Sequence, residues 1–522
     1  MKRVFCFVCI ALSLAAYLGA QQQLSEEIAY KIKNEAFANS KMEETAQWFT
    51  DFLGPRLASS KNGLRAEELV KEKFAAMGLS NARREFAVNF SKGGWNNEKT
   101  YLAMTEPYYT VFTGTPRAWT GSTPGLVKGE AVYVNIQNEA DIDKYRGKLG
   151  GKIVVMPETQ TYQISFEPLA SRLTDEDLKQ LDADPRGGAI GARNRQMMNF
   201  NMSPYLLRDQ IAKLMADEKP LAVLNGSGTF NVPMSNGAQY TAGDPEPTPE
   251  INIPIEDHGR LVRLIRKDIP VALELDIRNT FSPEDTVVYN VIAEIPGADP
   301  KLKSEIVMIG AHLDSWHGGT GGADNASGCM VMTEAMRIIK AIGVAPRRTI
   351  RIALWGCEEQ GLYGSRGYAQ NLLYNRTEKK KLPDYEKFTL YLNMDNGSGR
   401  FRGIYLEGND MAVPFFRAWM TPFESLGFTT LSLRNTGSTD HVSFNQLGLP
   451  AYQFIQDPLE YRRTYHTLMD TYERLSLGDL QVNAAIVAWF ALSAANDNGR
   501  IPVKPGALEA LQNAPQGNRP PR

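Results

Sequence analysis

The stretch GAHLDSWHGGTGGADNASG, residues 310–328, lies between an apolar run and an apolar, helix-like segment. It places His312 beside Asp314 and Asp324 in a chain that has only five histidines. The run SEIVMIGAHLD predicts a buried strand, and SGCMVMTEAMRIIKAIG predicts a helix. In open α/β sheets, ligands bind beyond the carboxyl ends of the strands. This polar stretch is therefore a candidate ligand site.

The rest of the second half of the chain repeats this alternation. VVYNVIAEI, TIRIALWGCEE, FTLYLNMDN and AYQFIQ are further apolar, strand-like runs, and helical segments separate them. Buried strands that alternate with helices indicate a mostly parallel central sheet flanked by helices on both faces. The expected fold class is therefore α/β.

The first half of the chain has a different pattern. Residues 24–79 carry apolar residues at three- and four-residue spacing, which predicts helices. Short β-type runs separated by Gly and Asn turns then predict an inserted β-rich domain, which a polar, partly helical stretch at 175–219 interrupts. The predicted divisions are 1–20 for a signal peptide, 21–115 for the N-terminal part of the main domain, 116–284 for the inserted domain, 285–500 for the main domain and 501–522 for a flexible tail.

Composition and the N-terminus limit the class of protein. Lys plus Arg, 57, nearly balances Asp plus Glu, 59, so we expect no nucleic-acid partner. Residues 1–20 combine a basic start with a short apolar run, which is typical of a secretory signal peptide, and an uncleaved signal anchor is the alternative. We therefore expect a secreted or periplasmic protein. No membrane segment is expected after cleavage, because no later run approaches about eighteen unbroken apolar residues.

Residues that commonly bind metals stand at the ends of several predicted strands. They are His312 and Asp314, Glu358 and Glu359, and Asp395, with Asp324 in the first loop and His466 after the last strand. Histidine and carboxylate ligands without cysteine suit Zn²⁺, and Mn²⁺ or Co²⁺ could replace it. Adjacent glutamates near a strand end point apart, so one can bind metal while the other acts as a general base.

Two aspartates have specific expected roles. Residues two apart on an extended strand face the same way, so Asp314 is expected to accept the proton on the far nitrogen of His312. Asp324 stands at the start of a helix, and its two oxygens could bridge a pair of cations. The sequence contains no nucleophile elbow, Walker A loop, dinucleotide fingerprint or H-E-x-x-H motif. Metal-assisted chemistry is therefore the expectation.

The segments HLDSW, ADNASG, WGCEEQGLYGS, LNMDNGSG and YHTLMDTY resemble, in order and residue type, the motifs of the two-zinc aminopeptidase and glutamate carboxypeptidase family. The likeness covers about residues 287–498, and the inserted block is similar to a protease-associated domain. The layout most resembles the plasma glutamate carboxypeptidases of this family and their bacterial relatives. The resemblance implies the zinc exopeptidase fold and two Zn²⁺ ions bridged by Asp324. The implied ligands are His312 and Asp395 for one ion, and Glu359 and His466 for the other.

The resemblance also implies catalytic roles. Glu358 would be the general acid/base, Asp314 would orient His312, and Tyr465 would steady the oxyanion. The implied activity is that of an exported exopeptidase for short peptides, either an aminopeptidase or a carboxypeptidase/dipeptidase, with a homodimer suggested only by family analogy. A glutaminyl cyclase and a non-catalytic binding protein are the alternatives, and the complete set of ligands favours the exopeptidase.

Overall fold

The computed structural model describes residues 24–158, 160–183, 203–230 and 232–513. The predicted signal peptide and residues 514–522 of the predicted tail lie outside these residues. The strands of the described part are β1 Ser80–Asn89, β2 Gly94–Glu106, β3 Thr110–Val111, β4 Thr115–Pro116, β5 Val127–Tyr133, β6 Ile153–Val155, β7 Ala222–Gly226, β8 Glu250–Ile253, β9 Ala272–Ser282, β10 Val287–Ile295, β11 Ile306–His312, β12 Thr349–Trp355, β13 Tyr374–Asn375, β14 Lys380–Lys381, β15 Phe388–Asn393, β16 Phe401–Tyr405, β17 Thr430–Ser432 and β18 Ala451–Gln456.

The α-helices connect and cover these strands. They are Glu26–Ala38, Met42–Gln47, Lys61–Ala76, Glu139–Ile142, Asp175–Ala183, Ser203–Glu218, Ile255–Ile265, Ser327–Ile342, Tyr363–Tyr368, Val413–Met420, His441–Asn445, Tyr461–Thr464, Leu477–Asn496 and Ala507–Asn513. Shorter π and 3-10 turns extend several of them, such as the turn at Gly322–Ala326 that leads into the helix after β11.

The main sheet has eight strands in the order β1-β10-β12-β11-β15-β18-β16-β17. Its four central strands, β12, β11, β15 and β18, run parallel to one another. Nearly every residue of these strands is buried, as expected for a parallel sheet that is covered on both faces. The predicted α/β class with a mostly parallel central sheet is confirmed. Parallel strands end at the same edge, so the residues after β11, β12 and β15 are brought together there.

A second eight-stranded sheet has the order β3-β2-β9-β5-β6-β7-β8-β4 and lies within residues 94–282. The strand of this sheet that comes first in the chain, β2, pairs with β9 along its length. The sheet therefore begins before residue 116, where the change in sequence pattern suggested a boundary. The division of the chain into domains stays a prediction, since pairing in a sheet does not by itself define a boundary.

One face of the main sheet is covered by the helices Ser327–Ile342 and Leu477–Asn496, which pack on each other and on Glu26–Ala38. Among the described residues, Leu477–Asn496 alone is long and apolar enough to cross a membrane. However, 83% of its most apolar window is buried inside the protein, so it has the character of a core helix.

Candidate metal centre

The site begins where β11 ends, at His312. The His312 Nδ1–H donates to the main-chain carbonyl of Asp314 at 2.9 Å. The Asp314 carboxylate lies farther from this nitrogen, at 3.7 Å, and accepts instead from the amides of Glu358 at 2.9 Å and Glu359 at 3.2 Å. The predicted hydrogen bond from His312 to the Asp314 carboxylate is therefore wrong, because the strand ends at His312 and its alternation does not extend to Asp314. Asp314 thus contacts both the histidine and the loop that carries the two glutamates.

Asp324 lies between two groups of potential ligands. Its Oδ1 is 3.2 Å from His312 Nε2, and that nitrogen is also 3.3 Å from Asp395 Oδ1. Its Oδ2 is 3.1 Å from His466 Nε2, and that nitrogen is also 2.9 Å from Glu359 Oε2. We call His312, Asp324 and Asp395 the first triad, and Asp324, Glu359 and His466 the second triad. The five predicted ligands therefore lie together, with one Asp324 oxygen facing each triad.

The loop that carries Asp324 is held by backbone conformation and by Asp470. Gly321 has φ +59°, in the left-handed region that favours glycine. The Asp470 carboxylate accepts hydrogen bonds from the amides of Ala323 at 2.6 Å and Asp324 at 3.0 Å. Sequence reasoning missed Asp470, although it stands four residues after His466 in the quoted segment YHTLMDTY. Asp470 thus fixes the main chain at Asp324, the residue that the two triads share.

Arg56 is a second residue that sequence reasoning missed. It is 1% exposed, and its guanidinium donates only to main-chain carbonyls. The bonds to Leu313, at 2.7 Å, and to Thr320 and Gly321, at 2.7 and 3.1 Å, join the segment after His312 to the loop before Asp324. The turn GPRLASS gave no local signal for this role, because these three partners lie more than 250 positions along the chain.

Replacing Arg56 by methionine is expected to lower the free energy of unfolding by roughly 3 kcal/mol or more. The reason is that several buried carbonyls would lose a charged donor, and each unsatisfied group costs about 1–3 kcal/mol. Urea denaturation would measure the change, and Arg65→Met, at an exposed helix position, is the matched control. A loss below about 1 kcal/mol for Arg56→Met would contradict this role.

The electrostatics of the site reflect its crowded carboxylates. Burial alone would lower the pKa of His466, but Glu359 and Asp324 raise it to about 11. His312 shows the same balance, since burial opposes protonation while the neighbouring aspartates raise its pKa well above the usual value. Burial raises the pKa of Glu359 to about 7, and the charge of Asp324 adds to this shift. The buried negative charge thus draws positive charge to the site.

The donor set fits divalent cations. In each triad, the ligand atoms lie within 4.8 Å of one another, and all are histidine nitrogens or carboxylate oxygens. The Oε1 atom of Glu359 is buried and has no hydrogen-bond partner among the described residues. A buried carboxylate oxygen without a partner is costly, and a cation would satisfy it. Nitrogen and oxygen ligands without thiolate are suited to zinc and to similar metals.

Glu358 belongs to neither triad, although it is adjacent to Glu359. Its side chain is buried, and burial raises the pKa of its carboxyl group well above the usual value. His312 lowers this pKa and Asp395 raises it further, so the carboxyl group interacts with the first triad. A buried carboxyl group with a raised pKa that stands beside potential metal ligands is a candidate for proton transfer.

Two tyrosines lie near the triads. The Tyr465 ring contacts the His466 ring at a centroid distance of 4.5 Å and the Tyr461 ring at 5.4 Å. Tyr461 also packs against Gly397, where an added Cβ would come within 2.9 Å of it. Burial raises the pKa of Tyr461 well above the usual value, and Asp324 and other site carboxylates contribute. Sequence reasoning selected Tyr465 and missed Tyr461.

Comparisons with known proteins agree with this geometry. Residues 290–491 match the model of peptidase family M28. The chain is 26% identical over 459 residues to carboxypeptidase Q of Homo sapiens, covering 87% of this chain and 85% of that protein. It is 32% identical over 189 residues to aminopeptidase YwaD of Bacillus subtilis, covering 34% of this chain and 38% of that protein. The crystal structure of a peptidase M28 precursor from Shewanella amazonensis SB2B superimposes with a TM-score of 0.64 and 25% identity, covering 92% of this chain and 98% of that one.

Proposed function

Because residues 290–491 match the model of peptidase family M28, we propose that the protein is a di-zinc exopeptidase that hydrolyses short peptides. The observation that carries the proposal is the pair of triads that share Asp324, with Glu358 buried beside them. A glutaminyl cyclase that uses one zinc needs only one triad. A non-catalytic binding protein needs neither the second triad nor Glu358. These two functions are therefore the alternatives, and the complete set of residues favours hydrolysis.

The five ligands would hold two divalent cations, one in each triad. When bound, such ions act as Lewis acids that polarise a scissile carbonyl group, and they lower the pKa of a bound water molecule towards neutrality. Asp324 would contribute one oxygen to each ion, as its distances to His312 and His466 suggest. Zn²⁺ is the proposed metal, and Mn²⁺ or Co²⁺ are substitutes that the same donors accept.

Glu358 is the proposed general base and acid. It accepts a proton from the attacking water and later donates that proton to the leaving amine, so the residue is regenerated in each cycle. Asp314 supports this role, because its carboxylate accepts hydrogen bonds from the main-chain amides of Glu358 and Glu359. The same residue accepts from His312 through its carbonyl, so it fixes a ligand and the base relative to each other.

A tyrosine hydroxyl is proposed to donate a hydrogen bond to the oxyanion. Family resemblance assigns this role to Tyr465, but Tyr461 is also a candidate, because burial and the nearby site carboxylates raise its pKa well above the usual value. We expect Tyr461→Phe to lower kcat by about 100-fold, as loss of an oxyanion donor does. Tyr465→Phe is the matched variant and is expected to have a smaller effect. Steady-state kinetics on one dipeptide would compare them, and a larger loss for Tyr465→Phe would restore the original assignment.

The end of the peptide that is recognised stays open. The names of the relatives include a carboxypeptidase and an aminopeptidase. The test is to incubate the purified protein with pooled dipeptides and tripeptides that are free, N-acetylated or C-amidated, and to follow every mass with and without a chelator.

Chelator-sensitive cleavage would support the exopeptidase. Loss of N-acetylated members would identify a carboxypeptidase, whereas loss confined to free amines would identify an aminopeptidase or dipeptidase. Loss of ammonia from peptides with N-terminal glutamine would support the cyclase instead, and a metal-loaded protein that cleaves nothing would contradict the proposal.

A location outside the cytoplasm is part of the proposal. It is supported by the signal-like sequence at residues 1–20, which lies outside the described residues. A homodimer likewise stays a prediction.

A further inference from the structure

The inserted segment, residues 116–284, reaches back to the main domain through a short strap at Ser171–Leu173. Ser171 exchanges two main-chain hydrogen bonds with Leu459, at 3.1 and 2.9 Å. Arg172 forms ion pairs with Asp457 at 2.7 Å and Asp479 at 2.8 Å, and these carboxylates are 1% and 3% exposed. The strap therefore fixes the start of the loop at residues 457–467, which follows β18 and carries His466.

The same inserted segment contacts the other end of that loop. The Ser235 amide donates to the carbonyl of His466 at 2.6 Å, and Met234 forms an antiparallel bridge with Thr467. The Trp316 ring lies 6.1 Å from the His466 ring, and an added Cβ at Gly237 would come within 3.3 Å of it. The main chain of His466 is thus held from the inserted segment.

His466 needs such support because of its backbone conformation. Its φ is +60°, which residues other than glycine adopt only where the surrounding structure holds them. A ligand that relaxed from this conformation would move its Nε2 away from Asp324 and Glu359. Contacts at both ends of the loop oppose that relaxation, since one fixes the main chain at His466 and Thr467 and the other fixes it at Leu459.

We propose that the inserted segment clamps the loop at residues 457–467 at both ends and so sets the position of His466 in the second triad. Arg172 and Ser235 are the positioning residues of this clamp. The clamp holds the main chain at His466, which belongs to the second triad only, whereas His312 ends β11 and Asp395 follows β15 of the main sheet. The inference rests on the proposed function in that it assigns the second triad to a metal ion.

The test uses metal-free full-length protein titrated with Zn²⁺ in a calorimeter. Arg172→Met removes the ion pairs and keeps an unbranched, flexible side chain, while Arg402 and Arg400 still pair with Asp457 and Asp479, respectively. We expect the Zn²⁺ affinity of one of the two binding events to fall by roughly 10-fold, because losing the contacts that support a metal ligand has an effect of this size. The affinity of the other binding event should be unchanged. Arg172→Lys should restore part of the affinity.

Hydrogen exchange provides a readout that needs no metal. Amides of residues 458–468 are expected to exchange faster in Arg172→Met than in wild type, and Ser235→Pro, which removes the donor to His466, should act in the same way. Arg278→Met is the matched control, because Arg278 pairs with Asp276 inside the inserted segment. If Ser235→Pro does not fold, Arg172→Met decides the result.

The outcomes separate the clamp from the proposed function. Wild-type affinity for both ions together with unchanged exchange in Arg172→Met would overturn the clamp. A wild-type protein that binds no Zn²⁺ would contradict the proposed function, while faster exchange of residues 458–468 in the variant would still support the mechanical part of the clamp. Equal weakening of both binding events would contradict the assignment of the clamp to the second triad.

Discussion

Replacing Glu358 by glutamine is expected to lower kcat by about 100- to 10,000-fold, the range that loss of a general acid/base produces. The substitution keeps the shape of the side chain and removes its ability to accept a proton. Because Glu358 belongs to neither triad, the number of bound metal ions should not change. The measurement is steady-state hydrolysis of the best dipeptide from the pooled assay, together with the metal content of the same preparation.

The adjacent residue offers a matched control. Glu359→Gln changes the same functional group one position along the chain, at a residue whose Oε2 is 2.9 Å from His466 Nε2. It should weaken metal binding in the second triad, whereas Glu358→Gln should not. If Glu358→Gln kept more than about a tenth of the wild-type kcat, or if it lost a metal ion, its role as the base would be wrong.

Replacing Asp324 by asparagine should impair both triads together. The change replaces one of the two carboxylate oxygens by an amide nitrogen, which is a poor metal ligand. The two triads therefore no longer share a negatively charged residue. We expect activity to fall by more than about 1,000-fold, since Lewis-acid and water-activation effects are both lost. Zn²⁺ binding to the metal-free protein should weaken for both ions.

Single-triad variants make this result specific. His312→Ala is expected to affect one binding event and His466→Ala the other, because each histidine faces a different oxygen of Asp324. Asp410→Asn, at an exposed residue outside the site, is the matched control for the change of charge. Two ions bound with wild-type affinity by Asp324→Asn would show that this residue is not the bridge.

The strands and the grouping of the candidate ligands could be predicted because their signals are local. β11, β12, β15 and β18 are nearly continuous apolar runs, the sequence pattern expected of strands that are buried on both faces. Once these runs are assigned to one parallel sheet, residues such as His312 and Asp395 fall at the same edge without further information. The positions of the ligands follow from the topology.

The supporting residues could not be predicted because their partners are distant in the chain. Arg56 donates to carbonyls near Leu313, and Arg172 pairs with Asp457, so neither residue has a local pattern that marks its role. The Asp314 carboxylate was assigned to His312 on strand alternation, but the strand ended two residues earlier and left the carboxylate to accept from the Glu358 amide. Beyond the end of a strand, the alternation of residues no longer predicts which way a side chain points.

The central claim is that two metal ions, held by residues that share Asp324, support peptide hydrolysis. The most direct measurement is titration of the metal-free protein with Zn²⁺ while cleavage of a dipeptide from the pooled assay is followed. We expect no cleavage without metal and activity that rises until two ions are bound per chain. Full cleavage by the metal-free protein, or full activity with no second ion bound, would contradict it.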